Sequence, residues 1–445
     1  MNVVKAEHNK DDKGGPIEQY NPFEHRKVEK PNSDGRALAN LLKASLGSGL
    51  LAMPVAFANA GWAVGIVGTI IIAFICGHCV HIFVDTSRGC CKAERKPLLN
   101  YAETCRAAFA NGPKSVRRYA KAASVFAELS LLCTYIGVCC IFTVLIAENI
   151  KQLLDTYYPV VTLSVSYYCL ILLVPLSIMT QIRHLKWLAP FSFLANVLLV
   201  LTFAICLYYI FKDPISIEGV SAVGHISRFP AFLSTVIFAM EGIGVVMPVE
   251  NAMKKPEHFL GCPSVLVIAM SFIMVLYTIL GLFGYFRYGD SVMATITLNL
   301  PVDDWPAICA KAFIALSIFF TYPLHFFVVV DILTKYIDPY VKKQYKNITQ
   351  ICMRIFVVWF CGAIGIALPM LEQIINIVGA LFYSILGLII PGIIDTIFRW
   401  PDVGKYQHIL WKNFLIVLFG FICLISGCAV TIGDIIQNLR EQSTE

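Results

Sequence analysis

The chain has 445 residues, of which 58% are hydrophobic and 14% charged, and its formal net charge is +6. A soluble domain carries about 25% charged residues, and one core cannot hide apolar runs of about 20 residues that recur from end to end. The composition excludes a soluble enzyme and points to an all-α integral membrane protein.

Residues 1–36 are charged, hold Gly and Pro, and carry few apolar side chains, so they read as a disordered tail. No signal-peptide h-region is present, which makes the first membrane helix the targeting signal. About eleven spans follow, at 37–58, 61–87, 119–147, 162–180, 186–211, 229–252, 262–286, 307–333, 351–369, 371–398 and 412–434. Each is long enough to cross about 30 Å at about 1.5 Å per residue. The membrane domain is therefore 37–434, with a short polar tail at 435–445.

Lys and Arg concentrate in the tail and in alternate loops, such as "SRGCCKAERK" (87–96), "KSVRRYAK" (114–121) and "RWPDVGK" (399–405). The intervening loops are poor in them. Positive-inside then places the N-terminus in the cytoplasm and, after an odd number of spans, the C-terminal tail outside or in a lumen. The positive charge reflects topology and contact with the lipid bilayer, and no nucleic acid partner is expected. The sixteen cysteines lie mostly inside apolar runs, where Cys acts as a small hydrophobe. No spacing suggests a metal, and no cofactor is expected. Cys90 and Cys91, beside Lys92, are either palmitoylation sites or filler.

The first span contains "LLKASLGSGLLAMP" (41–54), in which Gly47, Ser48, Gly49 and Pro54 crowd together. The sixth reads "FAMEGIGVVMPVENAM" (238–253), with Glu241, Gly242 and Gly244 ahead of Pro248. Irregular backbone inside lipid is tolerated only where protein buries it or a cavity is lined by it. A pair of Gly/Pro-interrupted spans five apart predicts a five-plus-five inverted repeat, broken in helices 1 and 6, with its binding site between the breaks. The alternative is that the glycines serve close helix packing.

A broken helix offers free N–H groups at one end and free carbonyls at the other, which suits the two charges of an amino acid zwitterion. The amides of Ser48, Gly49 and Leu50 are the expected carboxylate site. Carbonyls near Ala44, Ser45, Phe238 and Ala239 are expected to receive the amine. Phe238 is either a hydrophobic gate or lipid-facing filler. Lys43 either snorkels to the cytoplasmic face or pairs with Glu128 or Glu241. His78, Glu128 and Glu241 are the candidate proton-coupling residues. His325 and Tyr322, in "TYPLHFF" (321–327), face the site or turn away from it; the sequence leaves this open.

The segments "NLLKASLGSGLLAMPVAFANAGWAVG" (40–65), "GHCVHIFV" (77–84), "LIAENIKQ" (145–152) and "FAMEGIGVVMPVENAMKKP" (238–256) resemble the proton-coupled amino acid transporters, solute carrier family 36, within the amino acid/auxin permease group. The resemblance runs from about residue 36 to 434. It implies eleven spans, the inverted-repeat fold, and symport of small neutral amino acids with protons. It also implies the plasma membrane or an endosomal-lysosomal membrane. One position departs: relatives place a His immediately before "LLK", where this chain has Asn40, while His78 is retained. A secondary transporter is the leading expectation. An amino acid sensor of the same fold, signalling with little flux, is the alternative. Protein partners are not legible.

Overall fold

The computed structural model describes residues 20–26, 28, 31–157, 163–183, 185–217, 219–240, 242–262 and 264–442. Among these, nine helical segments are long and apolar enough to cross a membrane, from Trp62–Glu94 to Lys405–Glu441. Two further crossings fall short of that length. One is Val165–Met179, of 15 residues. The other is the first span, cut into α1 (Asp34–Ser45), α2 (Ser48–Leu51) and α3 (Met53–Ala60). The remaining helices are α4 (Trp62–Glu94), α5 (Tyr101–Asn111), α6 (Ala120–Tyr157), α7 (Val165–Met179), α8 (Leu185–Phe211), α9 (Phe229–Ala239), α10 (Ile243–Asn251) and α11 (Glu257–Leu260). They continue with α12 (Val265–Tyr288), α13 (Trp305–Ile337), α14 (Lys346–Ala367), α15 (Leu371–Ile377), α16 (Ile390–Arg399) and α17 (His408–Gln442).

The breaks fall where the sequence places them. Helix α1 is capped by Ser33 and buries Ala37, Leu41 and Ser45, one face at a four-residue period. It ends at Ser45, where Leu46 (φ −78°, ψ 69°) and then Gly47 (φ −124°, ψ −145°) leave helical geometry. Pro54 does not break the span further; it sits in the first turn of α3, where its missing N–H costs nothing. In the sixth span α9 stops at Ala239 and α10 begins after Gly242, while Pro248 lies inside α10. A third irregularity, not anticipated, is the π-helical stretch 378–389 between α15 and α16.

Helix α9 is the hub, packing on α3, α15, α17 and the π-helical turns. Around it α13 packs on α6 and α8, α12 on α3 and α4, and α14 on α6 and α7. Cys90 and Cys91 are buried in this packing, against Leu99 and Tyr101, which favours their reading as filler. Several helices outrun their expected ends: α6 continues to Tyr157 and α17 to Gln442, so the expected tail from 435 is helical over its described part. Helix α5 was not expected at all. Its Asn100 and Glu103 side chains form a reciprocal capping box, and it buries Tyr101, Ala102 and Cys105.

The described part of 20–36 is ordered, unlike the tail expected from the sequence. Glu250, on α10, is wholly buried between Arg26 (3.0 Å) and Arg88 (3.1 Å). Both guanidinium groups lie over the Phe23 ring, at 5.1 and 5.2 Å from its centroid. The Asn32 N–H donates to the Ala252 carbonyl at 2.8 Å, and the Lys254 N–H donates back to the Asn32 carbonyl at 2.8 Å. The strap made by the described part of 20–33 therefore ties the start of the first span to the end of the sixth.

Candidate functional site

A cavity of about 690 Å³ lies between the two broken spans. Its floor is formed by the breaks: Ala44, Ser45, Gly47, Ser48 and Gly49 from the first span, Phe238, Ala239 and Gly244 from the sixth. Tyr135 and Phe142 on α6 and His325 on α13 form the walls. Asn32, Asn40, Asn100, Glu128, Asp331 and Lys335 line its course to the face that carries the N-terminal strap.

The opposite face is shut. The Asn59 amide donates to Glu372 at 3.2 Å, joining α3 to α15. Arg228 pairs with Asp434 at 2.8 Å. The loop at 221–224 is stitched to 60–63 by backbone bonds: Gly224 N–H to the Ala60 carbonyl at 2.7 Å, and Trp62 and Ala63 N–H to the Ser221 and Ala222 carbonyls at 3.0 Å. Lys311, fully buried on α13, donates to Gln152 at 2.6 Å and to the Thr297 carbonyl at 2.8 Å. On the surface of this face Lys212 donates to Asp304 at 3.2 Å. The hydrogen bond holds the ammonium above its ordinary value and the carboxylate below its own.

The expected site residues separate into groups. Ala44, Ser45, Gly47, Ser48, Gly49, Phe238, Ala239 and Gly244 meet at the cavity floor. Leu50 is buried in α2 and is not among the lining residues. Gly242 faces a separate crevice of about 20 Å³ with Met240 and Tyr383. Glu241 lies outside the described residues. Phe238 is 2% exposed and packs edge-on against Tyr383, 5.9 Å between centroids, which removes the lipid-facing reading. Lys43 donates to the Ser192 hydroxyl on α8, and the expected pairing with Glu241 falls on a residue outside the described ones. Glu128 instead accepts from Lys335 and Tyr336 at the end of α13. His78 stands away from the cavity on α4, stacked between Phe74 and His81 at 6.4 Å each. His325 faces the site, 5.0 Å from Phe142 and 5.8 Å from Tyr135, whereas Tyr322 is buried outside it.

Tyr277, on α12, is the residue that sequence reasoning missed. It is fully buried, and its hydroxyl donates to the carbonyls of Ala239 (2.9 Å) and Ser45, the last residues of α9 and α1. The Ser45 carbonyl also accepts the Gly47 N–H at 2.9 Å. Two of the four carbonyls assigned to an incoming amine, those of Ser45 and Ala239, thus already accept hydrogen bonds. A buried tyrosine hydroxyl needs a partner, and that was the available signal; nothing in the sequence says which partner.

Residues 30–433 match the family described as "Transmembrane amino acid transporter protein". The chain belongs to this family. It is 39% identical over 419 residues to the "Proton-coupled amino acid transporter-like protein pathetic" of Drosophila melanogaster, covering 94% of this chain and 88% of the relative. It is 23% identical over 424 residues to the "Probable amino acid transporter skat-1" of Caenorhabditis elegans, covering 91% of each. Among solved structures it resembles MhsT in complex with L-phenylalanine, with a TM-score of 0.54 at 13% identity over 91% of this chain and 99% of that one. It resembles the inward-facing Mhp1 with a TM-score of 0.52 at 14% identity over 93% of each. These likenesses establish the inverted-repeat transporter fold, and the family places a multi-pass membrane protein, not an enzyme.

Proposed function

We propose that the chain is a secondary transporter that carries small neutral amino acids with protons, and that this conformation is open to the cytoplasm. The observation that carries the reading is the meeting of both helix breaks at the floor of one cavity. There the first turns of α2 and α10 present N–H groups without intrahelical partners, suited to a carboxylate. Gly47, Gly49, Ala44, Ala239 and Gly244 leave little side-chain bulk at the floor, which favours a small substrate, and Phe238 closes one side of it. The concentration of Lys and Arg on the strap-bearing face supports its assignment to the cytoplasm. The Drosophila relative's name supports proton coupling. The plasma membrane and endosomal-lysosomal membranes are the proposed locations.

The test is uptake of radiolabelled glycine, alanine or proline by reconstituted vesicles, with and without an imposed pH gradient. Accumulation above the external concentration, abolished by a protonophore, is the expected result. Saturable binding without accumulation would point instead to a sensor of the same fold.

A further inference from the structure

Many of the bases on the strap-bearing face are neutralised where they stand. Glu250 takes Arg26 and Arg88, Glu94 takes Lys96 and Arg106, Glu128 takes Lys335, and Asp338 takes Lys346. The turn into α6 stands apart. Lys114, Arg117, Arg118 and Lys121 crowd into one short segment, all four exposed, with no acid between them. The nearest acids along the chain are Glu103 and Glu128, and both are engaged elsewhere: Glu103 in the capping box of α5, Glu128 with Lys335 and Tyr336. Among the described residues none of the four bases pairs with a carboxylate. The Arg117 Nε donates to the Gly112 carbonyl at 2.8 Å, and the Arg118 guanidinium lies 4.7 Å from the centroid of the Tyr119 ring. Immediately beyond, Ala122, Val125, Phe126 and Leu129 are exposed at helical spacing, a stripe on the outside of the bundle. Apolar side chains exposed at that period on a membrane helix face acyl chains, which puts the four bases and Tyr119 at headgroup level.

We propose that the turn at 114–121 binds the headgroup of an anionic phospholipid, whose acyl chains run along the α6 stripe that begins at Ala122. The lipid supplies what the fold omits here. Its phosphate oxygens meet two guanidinium forks, which are planar, weakly hydrated and matched to phosphate, and two ammonium groups. A juxtamembrane cluster of four bases without acids is the charge pattern that anionic headgroups recognise. A free phosphate would meet the charges but would leave the stripe uncovered, so a lipid fits better than a soluble anion. Helix α6 runs unbroken from Ala120 to Tyr157 and carries Tyr135 and Phe142 of the cavity wall. The bound headgroup therefore fastens the foot of a helix that shapes the cavity. Only the choice of leaflet, the cytoplasmic one, rests on the topology proposed above.

The test measures binding to the purified full chain in nonionic detergent, so its outcome does not depend on transport. The probes are dioctanoyl phosphatidylinositol bisphosphate, dioctanoyl phosphatidylserine, dioctanoyl phosphatidylcholine and free inositol trisphosphate. The bisphosphate lipid should bind best and phosphatidylserine next. The free headgroup, which lacks chains, should bind at least about tenfold more weakly than the bisphosphate lipid. Phosphatidylcholine should bind least. Two double variants, Arg117→Gln with Arg118→Gln and Lys114→Gln with Lys121→Gln, should each weaken the bisphosphate lipid about thirtyfold, at about fivefold per base. Both should melt as the wild type does without lipid, because the four side chains are exposed. Lys342→Gln with Lys343→Gln removes the same charge from the loop after α13 and should leave the affinity unchanged. Equal affinity for phosphatidylcholine overturns the proposal, and so does wild-type affinity in either α6 double variant. An equal loss in the Lys342 and Lys343 variant would show a diffuse attraction and no site. Free inositol trisphosphate binding as tightly as the lipid would make the occupant a soluble anion and overturn the lipid assignment.

Discussion

A Cβ built on Gly49 meets the Cα of Ala239 at 2.6 Å, whereas one built on Gly47 meets no atom within 4 Å. Gly49 is therefore required by the packing of one break on the other, and Gly47 is not, although both line the cavity. Gly49→Val should lower stability and uptake together. Gly47→Val should leave the melting temperature nearly unchanged and cut uptake at least about tenfold, since one misplaced group in a tight site costs more than about 1.4 kcal/mol. Normal uptake by folded Gly47→Val would show that no substrate passes this position. A second contrast concerns Glu128, whose side chain is 10% exposed, and its partner Lys335, which is 61% exposed. Removing the lysine strands a buried carboxylate with Tyr336 alone, while removing the charge from the glutamate leaves a lysine that water can reach. Lys335→Met should cost about 1–3 kcal/mol and Glu128→Gln clearly less, read from melting in detergent. The reverse order would mean that the pair is not buried as described.

The strap joins the start of α1 to the end of α10. Asn32 pairs with the backbone just after α10, and Arg26 caps Glu250 within it, so α1 and α10 share one anchor. Arg26→Ala leaves Glu250 with Arg88 and uncovers Phe23. It should cost about 3 kcal/mol and speed proteolytic cleavage within 20–33. Unchanged protease resistance would show that the strap is held by other contacts. None of this was legible beforehand. A charged segment with Gly and Pro reads as solvated, and Arg26 and Glu250 lie 224 positions apart. The two breaks were legible because glycine, serine and proline crowded into an apolar run have few other uses. Helix α5 was missed although Asn100 and Glu103 spell a capping box, because attention to runs long enough to span passes over 11 residues. Tyr277 escaped, and the side that His325 faces stayed open, for a shared reason: on a helix apolar all round, the sequence does not say which side faces the site.

Coupling to protons asks for a group that changes charge during the cycle and favours different conformations in its two states. Asn40 lines the cavity on the side that opens to the strap face, one turn before Lys43, and cannot titrate. His78, the retained histidine, lies on α4 away from the cavity, so its protonation reaches the substrate only through helix movement. Glu128 is held by Lys335 and Tyr336 and stands away from the helix breaks. Uptake should consequently depend on pH less steeply than in a protein with a histidine at the position of Asn40. A histidine there, facing water in the cavity, titrates near pH 6.5. It is charged below that value and neutral above it, so Asn40→His should raise the ratio of uptake at about pH 5.5 to that at about pH 7.5. Glu241→Gln should flatten whatever dependence the unmodified chain retains. The measurement is initial uptake rate across that range, with internal pH recorded alongside. A steep acid-stimulated proton current in the unmodified chain, left unchanged by both substitutions, would put the coupling group elsewhere. His325 would then be next to test, because its ring already stands in the cavity wall between Phe142 and Tyr135.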